Sequence, residues 1–346
     1  MKKFTSLFLA LTMALTLVAC GDGSSATPTP AQSVAPDPAK SAAPAETAAL
    51  PEGYPSKNIE IIVPAAAGAA LDLYTRAMNE VLDLGTTLQI TNMAGGSQTI
   101  GMMELANRSA DGYSMGIVAF AGGIIQPQLT SVTYDVDSFR PVAITSGPNS
   151  YSVCVKYGGE MTDWDSFLKV INSGKTIHWT APNAGSPAHL AGLYFLKELG
   201  IENCEFVSYN GAAEALTAML SGDVDFYVTD DSVVRTREDE KQVTGIVTLS
   251  DTRSSVLPDL VCAKEKDISG MSVFDAFSWI VVPKDTPDAV YDYIKERVDA
   301  AVTSEEYQKF LKDSNFAEMQ LYTEEELSEK IHGAYDAVSE VIGMLG

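Results

Sequence analysis

Residues Lys57–Asp72, KNIEIIVPAAAGAALD, set the terms for the folded part of this chain. Ile59 to Val63 is a short β-branched run and reads as a strand, which Pro64 stops. Ala65 to Ala70 carries almost no side chains. Beyond it Leu71, Tyr74, Met78, Val81 and Leu82 recur at helical spacing, and Gly85 offers a C-cap. The unit is strand, bare loop, helix. A bare loop lets a ligand reach the backbone, and the first N–H groups of a helix are unpaired at the positive end of its dipole. Such a turn can seat an anion without any basic side chain.

The pattern recurs. Thr87–Thr91 reads as a second strand, running into Ala94-Gly95-Gly96 and a helix with Ile100, Met103 and Ala106. Tyr113–Phe120 reads as a third, followed by Ala121-Gly122-Gly123. In open α/β sheets, ligands bind at the C-terminal ends of strands, where these loops fall. Arg140–Ser146 and Ser152–Lys156 read as strands flanking Gly147-Pro148-Asn149, where the chain is expected to cross to a second lobe. Lys175–Thr180 reads as a strand before Asn183-Ala184-Gly185-Ser186-Pro187, with Ser186 a natural N-cap and Pro187 suited to the first helical position. Glu205–Tyr209, Asp223–Thr229, Gln242–Leu249 and Phe277–Val282 read as further strands. Thr323 to Glu326 reads as a capping box opening a last helix. Strands alternate with helices throughout, so the class is α/β with parallel-rich sheets.

The N-terminus reads as a targeting segment. Lys2 and Lys3 precede an apolar run from Phe4 to Val18 that is too short for a permanent span. Leu17-Val18-Ala19-Cys20 resembles a bacterial lipobox, in which Cys20 is lipidated and becomes the mature N-terminus. The expected location is extracytoplasmic, with the acyl chains holding the protein to the membrane. Residues 21–53, rich in Ala, Pro, Ser and Thr, read as an extended linker.

The net charge of −23 excludes nucleic acid and anionic membrane surfaces as partners. Loss of residues 1–19, with their two lysines, leaves 21 basic against 46 acidic side chains, a net −25. A small anion is still admitted, because long-range charge is screened beyond about 8–10 Å at physiological salt while local N–H dipoles are not. Cys154, Cys204 and Cys262 form no CxxC pair and read as small buried thiols. There is no GxSxG, no GxxxxGK and no HExxH, and His178, His189 and His332 are spaced unlike metal ligands. Neither a metal nor a cofactor is expected. Asp230-Asp231 closes a strand and reads as solvated loop acids.

Taken together, the landmarks resemble a known family. They are Tyr54-Pro55-Ser56-Lys57, Ile62-Val63-Pro64, Gly68 with Asp72 and Arg76, Asn92 with Ala94-Gly95-Gly96 and Gly101, and Asp111-Gly112-Tyr113. Gly185-Ser186-Pro187 with His189-Leu190-Ala191, Tyr209-Asn210-Gly211-Ala212-Ala213 and Gly222-Asp223-Val224-Asp225 follow in the same order. From Tyr54 onward the chain resembles the substrate-binding receptors of tripartite tricarboxylate transporters, the Bug family. The resemblance implies a two-lobed, periplasmic-binding-protein type II-like α/β fold with a small carboxylate held in the cleft. It assigns residues 54–149 and 253–346 to one lobe and 150–252 to the other. It implies a monomer that passes its ligand to transporter membrane subunits, with no catalysis. A receptor feeding a membrane sensor kinase and a surface-anchored hydrolase are the alternatives.

The family's first loop usually reads Pro-Phe-x-x-Gly-Gly-x-x-Asp. Here Pro64, Gly68, Ala69 and Asp72 match, with Ala69 in place of the second glycine and Ala65 in place of Phe. An alanine at a left-handed position would cost about 1 kcal/mol, so a locally different loop is expected. The candidate ligand-binding residues are Ala67, Gly68, Ala69, Asp72, Gly95, Phe120, Gly122, Asn183, Ala184, Gly185, Ser186 and Tyr209. His189 reads as a structural hydrogen-bonding group, and Asp72 as either a ligand-orienting acid or a first-turn helix acid.

Overall fold

In the computed structural model, residues 49–314, 316 and 319–343 are described. Cys20 and most of the expected linker lie outside them. The strands are β1 Ile59–Val63, β2 Leu88–Asn92, β3 Ser114–Ala119, β4 Phe139–Asn149, β5 Tyr151–Lys156, β6 Ile177–Thr180, β7 Cys204–Phe206, β8 Phe226–Asp230, β9 Val243–Thr248 and β10 Ala276–Pro283. The helices are α1 Ala70–Asn79, α2 Thr99–Ala106, α3 Gln126–Leu129, α4 Trp164–Ile171, α5 Pro187–Glu198, α6 Ala212–Ser221, α7 Asp231–Asp239, α8 Asp288–Val302, α9 Glu305–Asp313 and α10 Glu324–Gly343.

The strands make two five-stranded sheets, ordered β2-β1-β3-β10-β4 and β7-β6-β8-β5-β9. The fold is therefore two-lobed α/β. β1 sits inside the first sheet, parallel to both β2 and β3, with Ile61 level with Ile90 and Met115. Its four apolar side chains are buried and only Glu60 is partly exposed, as a strand covered on both faces requires. Thr91 Oγ1 donates to Glu60 Oε1 at 2.6 Å, and Arg108 pairs with the same carboxylate at 3.2 Å.

The chain leaves the first sheet at Asn149 and enters the second at Tyr151. It returns through residues 249–275 to β10. Ala276 pairs with Asn149, and a Cβ on Gly147 would lie 2.7 Å from the Ala276 carbonyl, so the two crossings run side by side. Leu257 and Leu260 pack with Ala215, Met219 and Val243 of the second lobe.

Several helix starts follow the local sequence. Ser186 Oγ accepts the His189 N–H at 3.2 Å with Pro187 at the first position. Glu326 Oε2 accepts the Thr323 N–H at 2.8 Å while Thr323 Oγ1 accepts the Glu326 N–H at 3.1 Å, a reciprocal capping box. Two features differ from the sequence reading. The bare segment after β3 is one turn of π-helix, Ala121–Ile125. Asp231 opens α7 and is 4 % exposed, a buried acid and not a solvated one. Cys154, Cys204 and Cys262 are free thiols, Cys204 only half-buried, with burial pushing Cys204 up to about 11. Among the described residues, no helix is long and apolar enough to cross a membrane.

Candidate functional site

The loop between β1 and α1 is fastened from beneath. Asp72, third residue of α1, is 1 % exposed and reaches back so that Oδ2 accepts the Gly68 N–H at 2.8 Å. The same oxygen accepts Arg76 Nε at 2.8 Å, and Oδ1 accepts Asn92 Nδ2 at 3.0 Å. Asn92 Nδ2 also donates to the Ala65 carbonyl at 3.1 Å, tying the loop to the end of β2. The Arg76 guanidinium and these N–H donors hold the Asp72 carboxyl at about 2. Asp72 is thus spent on the protein. The left-handed residue is Gly68 (φ +82°), while Ala69 is extended (φ −74°). Alanine at 69 therefore carries no strain, contrary to the expectation from sequence. Ala69 has no capping side chain, and the Ala70 and Leu71 N–H groups have no acceptor among the described residues. Ala66, Ala67 and Gly68 are exposed above them. Gly101 lets α2 close on the loop's first residue, since a Cβ there would lie 2.8 Å from Pro64 Cβ.

The loop between β6 and α5 uses the same device. Gly185 is left-handed (φ +73°), and its N–H donates at 3.0 Å to Nδ1 of His189, third residue of α5. His189 is 3 % exposed, stacked on Trp179 at 5.6 Å and against Phe206 at 3.9 Å. Burial lowers it to about 4, so the ring is neutral at pH 7, with Nδ1 accepting and the proton on Nε2. Asn183 and Ala184 are exposed and Ser186 half-exposed. The loop before α6 repeats the arrangement: Glu214, its third residue, accepts the Asn210 N–H at 3.1 Å. An acceptor side chain four residues after the loop's donating N–H is thus common to all three loops, although in the third the left-handed residue is Gly211, one past the donor. The sequence shows that spacing, but only the fold shows that the acceptor reaches back.

The remaining candidates fall into two groups. Gly95 (φ +130°) opens a strained turn in which Ser97 and Gln98 are also left-handed. Gln98 lies on Gly122, where a Cβ would meet Oε1 at 2.4 Å, and that oxygen is buried without a partner among the described residues. Gly122 carries the Tyr134 hydroxyl on its carbonyl at 2.6 Å. Phe120 is buried edge-to-face against Phe277 at 5.9 Å. The structure thus brings the 95–98 turn against 120–122. Gly185 meets the first lobe at Leu129, 3.3 Å from where its Cβ would stand. Tyr209 is half-buried and packs with Leu216 and Leu220. No hydrogen bond joins loop 66–69 to loop 183–186 among the described residues. Arg76, Asn92, Gln98 and Glu214 brace these loops; none is a candidate ligand-binding residue by sequence, although Arg76 and Asn92 stand among the family landmarks.

Gly68→Val is expected to strain the left-handed turn by about 1–2 kcal/mol while leaving the fold intact, since no atom lies within 4 Å of a Cβ there. Ser186→Ala removes the cap of α5 and is expected to cost about 1 kcal/mol. Urea denaturation of the two variants measures both effects.

Residues 75–333 match the family model described as tripartite tricarboxylate transporter family receptor. A UPF0065 protein of Bordetella pertussis is 28% identical over 276 residues, covering 77% of this chain and 83% of that protein. Among solved structures, a TctC solute binding protein from Polaromonas superposes with a TM-score of 0.74 at 21% identity, covering 84% of this chain and 99% of the other. MatC from Rhodopseudomonas palustris with bound malate gives 0.61 at 20% identity, covering 84% and 100%. An R. palustris protein with adipate gives 0.62 at 18% identity, covering 84% and 98%. These structural likenesses carry the fold. The match of the family model over most of the sequence carries the rest: this chain belongs to the tripartite tricarboxylate transporter receptor family.

Proposed function

We propose that the protein captures a small carboxylate between loops 66–69 and 183–186 and delivers it to the membrane subunits of a tripartite tricarboxylate-type transporter. The observation that carries this reading is the pair of exposed loops at helix starts, each locked by a buried side chain three residues into its helix. That lock leaves the Ala70 and Leu71 N–H groups free to bind an anion with no rearrangement, which is where preorganised affinity comes from. The malate and adipate held by the two R. palustris neighbours are of the expected class. Ala66, Ala67 and Ala69 give the first loop an apolar character, which suits ligands with a hydrocarbon portion.

In this reading the side-by-side crossings at 149–151 and 249–275 act as a hinge, and closure buries the ligand without covalent chemistry. We place the return to the first lobe past Leu260 and not at 253, since Leu257 and Leu260 pack in the second-lobe cluster. The protein acts as a monomer on the extracytoplasmic face, tethered through lipidated Cys20.

Titration calorimetry against a panel of mono-, di- and tricarboxylates tests this. One saturable site for at least one acid is expected, weakened several-fold or more in Gly68→Val and Ser186→Ala. Silence across the panel from folded protein overturns the reading, and full affinity in both variants moves the site elsewhere.

A further inference from the structure

A polar cavity of about 270 Å³ lies where the chain crosses between the sheets. Asn149 at the end of β4 and Phe316 beyond α9 line it from the first lobe, and Asp230, Asp231 and Ser254 from the second. Asp231 is 96% out of solvent by its 4 % exposure. Its Oδ1 accepts the Ser152 hydroxyl at 2.6 Å, and Ser152 in turn lies 3.1 Å from Thr248 Oγ1. Its Oδ2 is buried with no hydrogen-bond partner among the described residues. The Ser254 hydroxyl stands close enough to favour the ionised carboxyl but makes no well-aligned hydrogen bond to Oδ2, so this buried oxygen has room for a further donor. Burial raises the Tyr151 hydroxyl, and Asp230, Asp275 and Asp231 add to it in the same direction, so acids crowd this end of β5. Arg253, the one cation on the described lining, is engaged by Glu265 at 2.9 Å and by the Pro258 carbonyl at 3.1 Å.

The α7 dipole favours an acid at its start, but it supplies about half a charge against two carboxylates. The site therefore suits a cation that donates. Among the described residues no group of three or more His, Cys, Asp or Glu is arranged to hold a metal ion. The volume exceeds that of a lone ammonium ion and leaves room for carbon atoms.

We infer that this cavity binds a primary ammonium group on a small carbon skeleton, with Asp231 as its acceptor and Ser254 beside it. The group comes either from a free amine or from an amino-carboxylate whose acid end lies in the cleft; the second source rests on the carboxylate reading above. Because both lobes line the cavity, the occupant ties them together next to the hinge.

Calorimetry with ethanolammonium chloride probes the free amine. β-Alanine against propionate, and 4-aminobutyrate against butyrate, probe the amino-carboxylate. At least one amine-bearing probe is expected to bind about tenfold or more above its amine-free counterpart, and Asp231→Asn is expected to erase that margin. Ser232→Trp, at an exposed lining position, fills the cavity with Asp231 intact and is expected to erase it too, which decides the matter should Asp231→Asn not fold. No margin in the wild type, or a margin that survives both variants, overturns the inference. Carboxylates that bind with no amine margin defeat the cavity inference and leave the receptor reading standing. Ethanolammonium binding with silence from every acid does the reverse.

Discussion

Asp72→Ala is expected to lower the stability of the protein by roughly 3 kcal/mol and its affinity for a carboxylate by more than about tenfold. The carboxylate accepts from three donors: the Gly68 N–H, Arg76 Nε and Asn92 Nδ2, the last shared with the Ala65 carbonyl. Their losses are unequal. The Arg76 side chain is 50% exposed and regains water, so its share is small. Asn92 keeps its bond to the Ala65 carbonyl, while the Gly68 N–H loses its acceptor and is left beside a small cavity. The affinity loss follows from geometry. Gly68 holds its left-handed turn because its N–H is anchored, and freeing it lets the 66–69 loop sample other conformations. Binding must then order the loop as well as the ligand. Because the folded carboxyl lies near 2 against an ordinary 3.8, this stabilisation is complete above pH 3.8 and disappears as the pH falls through about 2. Urea denaturation gives the stability change and calorimetry the affinity. A folded Asp72→Ala protein with undiminished affinity would show that the lock does not serve the site.

What the sequence reveals about this fold is what local physics determines. β1, the start of α5 and the start of α10 stand close to where composition and caps put them, since Ser186, Pro187 and Thr323 act on their immediate neighbours. The strand-end loops are legible for the same reason. The partners that lock them are less so. Asn92, at the end of β2, reaches back 20 residues to Asp72 in the first turn of α1, and His189 is neutral because Trp179 and Phe206 enclose it. Asp231 is the clearest miss. A pair of aspartates after a strand reads as solvent-exposed, yet Asp231 is buried because Ser152, 79 residues away, supplies a hydroxyl. The misplaced concern over Ala69 has a similar origin. Which residue of a Gly-Ala pair turns left-handed depends on where Asp72 anchors the backbone, and that is set by the helix start.

Asp275→Asn is expected to tilt the stability profile between pH 4 and 6 so that it falls more steeply toward acid than the wild type's. Asp275 is buried at the second crossing, where the Ser250 hydroxyl donates to Oδ2 at 2.8 Å and Oδ1 has no partner among the described residues. Burial raises its carboxyl to about 6 from an ordinary 3.8. The folded state therefore favours the protonated acid, a contribution fully present below pH 3.8 and lost as the pH rises through about 6. His189 works in the opposite sense. Burial lowers it to about 4 from 6.5, so its contribution is complete above pH 6.5 and lost as the pH falls through about 4. Each effect is of the order of 3 kcal/mol at most, so across the shared window they offset one another. Removing Asp275 takes away one acidic slope, with Asp230, Asp231 and Asp299 also raised by burial, and so weights the profile toward the histidine slope. His189→Gln leaves the aspartate slope, so stability then declines as the pH rises from 4 to 6. Packing losses shift each curve as a whole, and so the slope is the diagnostic. Urea denaturation at half-unit steps of pH reads it directly, and single variants that keep the wild-type profile would mean that neither group titrates where its burial places it.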